Sequence, residues 1–185
     1  MKKIKSSFVG VKRNCVMGID LSLRSTGIVL LSLDNDEFHQ YGAGCEVKKD
    51  DEEGRFQRLV DISTEIQNQV GSYDPRLIGV EGPAYSKFQG PQFSLGRLLG
   101  WVESGIWSNF GKRIVVVSST AARKFFIGTK GGGAIKKDRL WEFLTSRGME
   151  FKNKDMMDAW MIAIYLKGKV LGIKIPRMVL KMEGL

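Results

Sequence analysis

The stretch Val16-Met-Gly-Ile-Asp20-Leu-Ser-Leu-Arg-Ser25-Thr-Gly-Ile-Val-Leu30-Leu-Ser-Leu33 decides how the rest of the chain is read. Two β-rich runs, Cys15 to Ile19 and Ile28 to Leu33, flank a polar segment holding Ser22, Arg24, Ser25, Thr26 and Gly27, the pattern of a strand, a tight turn and a second strand. Asp20 closes the first run. A carboxylate at the end of an apolar strand loses water and needs a cation, a proton or hydrogen-bond donors in return. Taken alone, Asp20 is read more simply as an Asx-turn residue bonded to its own backbone. A functional reading requires further carboxylates to arrive from elsewhere.

At 185 residues, 43% of them hydrophobic, the chain suits one well-buried core better than two. No apolar run approaches the roughly 20 residues that span a bilayer, and the N-terminus lacks the apolar centre of a signal peptide. The expectation is a cytoplasmic protein with no membrane contact. Cys15 and Cys45 lack metal-type spacing and sit in apparent strands, which suits reduced core thiols. A single histidine, His39, argues against zinc.

Lys and Arg number 29 against 20 acids, a balance of +9, and they are unevenly placed. Residues 1 to 14 hold Lys2, Lys3, Lys5, Lys12 and Arg13 and no acid, which reads as a basic arm. Between 112 and 139 stand Lys112, Arg113, Arg123, Lys124, Lys130, Lys136, Lys137 and Arg139 against Asp138 alone, while residues 34 to 65 carry half of all the acids. Such polarity points to a face for a polyanion, usually nucleic acid. The competing reading is a basic surface that serves only solubility.

Phe38 to Val47 is expected as a third strand, antiparallel to the second, before the charged loop Lys48 to Glu53. From Arg55 to Val70 the residues Phe56, Leu59, Val60, Ile62, Ile66 and Val70 repeat at helical spacing, with Gly71 as the stop. Leu77 to Val80 is a short strand of the kind buried on both faces, followed at once by Glu81. Tyr85, Lys87 and Phe88 then lie in a loop after Gly82 and Pro83. Pro91 to Phe110 is read as a helix with apolar positions from Phe93 to Phe110, in which Gly96, Gly100 and Ser104 fall four apart. Each glycine costs a helix roughly 1 kcal/mol, so the stripe implies a close backbone neighbour, either internal or in a second subunit.

Ile114 to Val117 is expected to be another buried strand, and Ser118, Ser119 or Thr120 to cap the helix carrying Arg123 and Lys124. Gly128 to Gly133 reads as a mobile loop and not a P-loop, because no Lys-Ser/Thr follows its last glycine. Helical periodicity resumes from Ile135 to Arg147 and again from Asp155 to Leu166, the latter heavily apolar. Asp155 and Asp158 share one face of that last helix, roughly 5 to 6 Å apart at Cβ. Favourable placement in the first turn accounts for Asp155, and less well for Asp158 among so many apolar neighbours.

If the strands ending in Asp20 and Glu81 are adjacent and parallel, both acids leave the same sheet edge, and the last helix could bring Asp155 and Asp158 to them. Such a cluster cannot stay ionised and unpaired. Two Mg²⁺ ions about 4 Å apart, with Mn²⁺ able to substitute, would neutralise it and support phosphodiester hydrolysis.

These residues resemble RuvC-type Holliday junction resolvases of the RNase H-like, integrase superfamily, particularly the phage-type members. The resemblance runs from about Val16 to Lys167 through Gly18-Ile-Asp20-Leu-Ser22, Gly27, Gly42-Ala-Gly-Cys45, Val80-Glu81, Leu95-Gly96, Gly100 and Asp155-Met-Met-Asp158-Ala159. It implies an α/β fold, an RNase H-like mixed five-stranded sheet with three antiparallel strands, then two parallel ones, and helices on both faces. On that reading residues 1–14 are a basic arm, 15–168 the nuclease domain and 169–185 a basic tail. Asp20, Glu81, Asp155 and Asp158 fall on the catalytic, metal-binding acids. The nucleic-acid-binding set is Arg24, Tyr85, Lys87, Arg123, Lys124, Lys130, Lys136 and Lys137. The family's base-stacking aromatic aligns with Ala84, leaving Tyr85 one place later. The implied substrate is branched DNA, notably the four-way junction, and the glycine-striped helix is the implied homodimer interface. Two other classes compete: a DNA-binding module without catalysis, and an actin-like ATPase fragment, for which 185 residues leave no second nucleotide-binding half.

Overall fold

The computed structural model describes residues 13–44, 51–82, 89–127 and 137–173, with the backbone alone over 89–93. Along the chain these form β1 (Cys15–Asp20), β2 (Thr26–Ser32), β3 (Phe38–Ala43), α1 (Glu52–Tyr73), β4 (Leu77–Glu81), α2 (Gln89–Phe110), β5 (Ile114–Val117), α3 (Ser119–Ile127), α4 (Lys137–Ser146) and α5 (Lys154–Leu171). The five strands make one sheet in the order β3-β2-β1-β4-β5, antiparallel across β3-β2-β1 and parallel across β1-β4-β5. This is the RNase H-like arrangement expected from the sequence. No helix among the described residues is long and apolar enough to cross a membrane.

Strand alternation divides the core in two. Cys15, Met17, Ile19, Ile28, Leu30, Ile78 and Val80 turn to one face, where Leu59, Ile62, Ile66 and Val70 of α1 and Leu98, Val102 and Ile106 of α2 cover them. Val16, Val29 and Leu31 turn to the other, under α5, with α3 and α4 packed around it. Because both faces are covered, every residue of β2 is buried. Cys15 is a buried free thiol, and burial, then the nearby charge of Asp74, pushes it up to about 11. Cys45 lies outside the described residues.

α5 lies against the sheet across a floor of glycines. A Cβ at Gly18 of β1 would come within 2.1 Å of the Ala159 carbonyl oxygen, one at Gly27 of β2 within 2.6 Å of the Asp155 carbonyl oxygen, and one at Gly79 of β4 within 2.8 Å of Leu166. Glycine inside a strand marks such an approach of another backbone. Asn153 caps α5 by accepting from the Met156 N–H at 2.9 Å, and Gln40 of β3 ties down the segment before it through Glu150 and Lys152.

Several boundaries differ from the expectations. The first helix does not stop at Gly71, which sits inside the helix against Phe110; it ends at Asp74, whose left-handed φ of 48° and N–H to the Val70 carbonyl close it. Asp tolerates that conformation and Pro75 ends the run, so the signal three residues later wins. β3 ends at Ala43, not Val47, and residues 45–50 lie outside the described residues. β5 is not a buried strand: it is the sheet edge, and Val115 and Val116 are 38% and 53% exposed. Of the three candidate caps for α3, Ser118 serves, its Oγ accepting from the Ala121 N–H at 3.2 Å.

Candidate active site

Asp20 and Glu81 end β1 and β4, which pair in parallel with Ile19 beside Val80, so both carboxylates leave the same end of the sheet. Val16, Gly18 and Asp20 alternate toward α5, and so do Leu77, Gly79 and Glu81. Since the glycines hold α5 close, Asp158, on its second turn, reaches the same place. Asp20, Glu81 and Asp158 each offer a carboxylate oxygen within 4.8 Å of the others. Asp155 is not in this cluster; it stands one turn earlier and connects to it through Lys137.

The Asx-turn reading of Asp20 gives way to another arrangement of the β1-β2 turn. Ser22 Oγ accepts from the N–H groups of Arg24 and Ser25, while Thr26 Oγ1 accepts from the Ser22 N–H and donates to the Ser22 carbonyl at 2.7 Å. Two hydroxyls therefore shape the turn, and the carboxylate is left to the acid cluster.

Two cations face these acids. Lys137 Nζ lies 2.6 Å from Asp158 Oδ2 and 3.4 Å from Asp155 Oδ1, and Arg123 Nη2 lies 3.7 Å from Asp158 Oδ1. Burial works against the Lys137 charge, but the Asp158 hydrogen bond and the charges of Asp158, Asp20 and Asp155 outweigh it and hold the ammonium above its usual range. Burial, then the charges of Glu81 and Asp158, pushes the Asp20 carboxyl up to about 8, although Lys137 opposes this. Three carboxylates crowded this closely, with Asp20 favouring a proton at neutral pH, are hard oxygen donors suited to a divalent cation such as Mg²⁺ or Mn²⁺. Among the described residues, no histidine or cysteine belongs to the cluster.

A pH dependence follows. The Asp20 carboxyl is raised from an ordinary 3.8 to about 8, so between those values the folded protein binds a proton that the unfolded chain has lost. Stability without divalent cations should therefore fall as pH rises through that window, by up to about 1.4 kcal/mol per pH unit if this group acted alone. Thermal melts in a chelator should show the fall, and Mg²⁺ should raise the melting temperature more at pH 8 than at pH 5, where a proton competes for Asp20. A flat melting temperature from pH 5 to 8 would show that Asp20 ionises freely.

The other expected nucleic-acid-binding residues divide. Arg24 is exposed in the turn after Asp20, and Lys124 is exposed on α3, while its neighbour Arg123 faces Asp158. Lys112 and Arg113 precede β5 and so lie at the opposite end of the sheet, where Lys112 binds Asp74 at 2.6 Å and Arg113 covers Trp107. The basic segment is thus not one continuous face. Tyr85, Lys87, Lys130, Lys136, the loop Gly128 to Gly133, Ile135, the arm up to residue 12 and the tail from 174 lie outside the described residues. A separate cleft of about 900 Å³, on the α1/α2 side, is lined by Leu23, Glu52, Phe56, Arg58 and Arg97 among others and by none of Asp20, Glu81 and Asp158.

Solved structures with this architecture include Thermus thermophilus RuvC, at TM-score 0.67 and 15% identity over 86% of this chain and 97% of that one. The chain has the RuvC fold. Thermus thermophilus RuvC in complex with a Holliday junction substrate matches at TM-score 0.66 and 13% identity, over 86% of this chain and 96% of that one. The yeast mitochondrial Holliday junction resolvase Ydc2 matches at TM-score 0.59 and 12% identity, over 90% and 84%. No protein-family model and no curated protein matches the chain by sequence. The RuvC fold is therefore retained at an identity where side-chain chemistry must be argued from this chain's own residues.

The sequence held a signal for the closeness of α5 that pattern reading passed over. Gly18, Gly27 and Gly79 are strand glycines, and Ala159 and Ala163 fall four apart on α5, directly over Gly18. Small residues facing small residues across a sheet and a helix foretell a short approach.

Proposed function

We propose that the protein is a divalent-metal-dependent endodeoxyribonuclease that resolves four-way DNA junctions and related branched DNA by paired phosphodiester hydrolysis, acting as a homodimer. The supporting observation is the convergence of Asp20, Glu81 and Asp158 within 4.8 Å at the end of a sheet with the RuvC fold. When bound, Mg²⁺ or Mn²⁺ would supply Lewis acidity and a more acidic water, and a pair of ions would serve the attacking and leaving oxygens separately. Asp20, Glu81 and Asp158 would hold the first such ion, and Asp155 would be the added carboxylate for a second. Arg123 and Lys137 line the approach and offset the charge of an incoming phosphate. Arg24 and Lys124, exposed to either side, contact flanking phosphates, and the resemblance adds Tyr85, Lys87, Lys130 and Lys136 to that set.

Incubation of a synthetic four-way junction with the protein and Mg²⁺ tests the reading. Symmetric paired nicks that vanish in a chelator are expected. Binding without nicks under any divalent cation would leave a non-catalytic DNA-binding module.

Dimerisation is supported by the outer face of α2. Gly96 and Gly100 are exposed and have no described atom of their own chain within 4 Å of a Cβ, so packing among the described residues does not account for these two glycines. Trp101 and Trp107 on the same helix are 45% and 54% exposed. Large aromatics flanking small residues are the composition of a packed interface. Gly100→Leu should leave the monomer folded and weaken the dimer by about 1 to 3 kcal/mol, since overpacking carries such a cost. Sedimentation decides: a wild-type monomer at micromolar concentration, free and junction-bound, would refute the dimer.

A further inference from the structure

Lys137 opens α4 and lays its ammonium across the acid cluster, 2.6 Å from Asp158 Oδ2 and 3.4 Å from Asp155 Oδ1. Its side chain is 34% exposed whereas that of Asp158 is 10% exposed, so the lysine reaches inward from the mouth of the site. A compact point charge on a flexible four-carbon stem can leave such a position by rotation alone. Arg123, at 3.7 Å from the other Asp158 oxygen, lies beyond hydrogen-bonding distance, which leaves Lys137 as the cation bonded to this carboxylate. A doubly charged ion held by Asp158 would strongly repel an ammonium at 2.6 Å from the same carboxylate.

We propose that Lys137 is a displaceable counter-ion: it neutralises Asp158 and Asp155 in the cation-free protein, competes with the divalent cation for them, and once displaced gives its charge to a DNA phosphate beside the site. The inference rests on the metal site proposed above. Metal loading and the grip on DNA are then coupled through one side chain, and by linkage each strengthens the other. Arg139, two residues further on the same helix and exposed, has no such contact and serves as the comparison.

Calorimetric titration of the full-length protein with Mn²⁺ in the absence of DNA tests the competition. Lys137→Met should bind Mn²⁺ about tenfold more tightly than the unmutated protein, and Arg139→Met should bind it equally well. Lys137→Gln, which keeps a polar head group, is the second variant should the methionine protein not fold. Junction binding measured against salt tests the transfer of charge. In Ca²⁺ the wild-type slope should steepen relative to chelator by about 0.9, one further phosphate contact, beyond any change seen in the Lys137 variant. Unchanged or weaker Mn²⁺ binding in the folded variant would overturn the competition, and equal shifts of slope in wild type and variant would overturn the transfer. If Mn²⁺ does not bind the unmutated protein at all, the metal site itself falls, and this inference with it.

Discussion

Asp20→Asn, Glu81→Gln and Asp158→Asn are each expected to reduce junction cleavage by at least about a thousandfold while leaving junction binding within a few-fold of the unmutated protein. Each change removes one anionic oxygen from a three-carboxylate group, and a misplaced ion neither activates water nor stabilises the leaving oxygen. The three differ in stability in an informative way. Asn at position 20 resembles the protonated carboxyl that burial and its neighbours favour up to about pH 8, so that variant should melt at or above the wild-type temperature in chelator. Asp158→Asn removes the partner of Lys137 and Arg123 and should melt lower. Cleavage assays, gel-shift binding and thermal melts on the same preparations separate these effects. Wild-type cleavage by any of the three would remove that residue from the site.

Gly18→Val should abolish folding or cost more than about 4 kcal/mol, a loss in the range reserved for backbone clashes and buried cavities. A Cβ at position 18 would lie 2.1 Å from the Ala159 carbonyl oxygen and 2.6 Å from the Ala163 nitrogen, both backbone atoms that no rotamer change can clear. Either α5 lifts from the sheet, carrying Asp158 away from Asp20 and Glu81, or the sheet bends at its central strand. Gly42→Ala is the control, because the nearest described atom to its Cβ is Met156 Cε at 3.5 Å, an ordinary contact, and an alanine inside a strand should leave stability unchanged or raise it by up to about 1 kcal/mol. Urea denaturation of both variants measures the difference. A Gly18→Val protein with wild-type stability would mean that α5 does not lie against β1 at this distance.

By itself the amino-acid sequence determined the periodicities and therefore the elements. Alternation and β-branched runs marked the strands from Cys15 to Leu33, and the 3.6-residue repeat marked α1, α2 and α5 to within a few residues. It also determined that Asp20 and Glu81 end strands, since an acid directly after an apolar run is local information. What it left open depended on groups distant along the chain. Asp155 and Asp158 share a helix face in the sequence, yet only Asp158 joins Asp20 and Glu81, because the glycine floor sets where α5 crosses the sheet. Lys137 and Lys124 are equally basic on paper, and only packing of α4 and α3 against α5 turns Lys137 onto the acids while Lys124 stays in solvent. Lys112 is charge-equivalent to both, but the parallel pairing of β4 and β5 sends it to the far end of the sheet. The exposure of Val116 likewise follows from β5 being last in the strand order, a property of pairing that no window of residues contains. Local steric and solvation preferences are short-ranged and legible in order; the distance between two side chains hundreds of atoms apart is set by how whole faces pack.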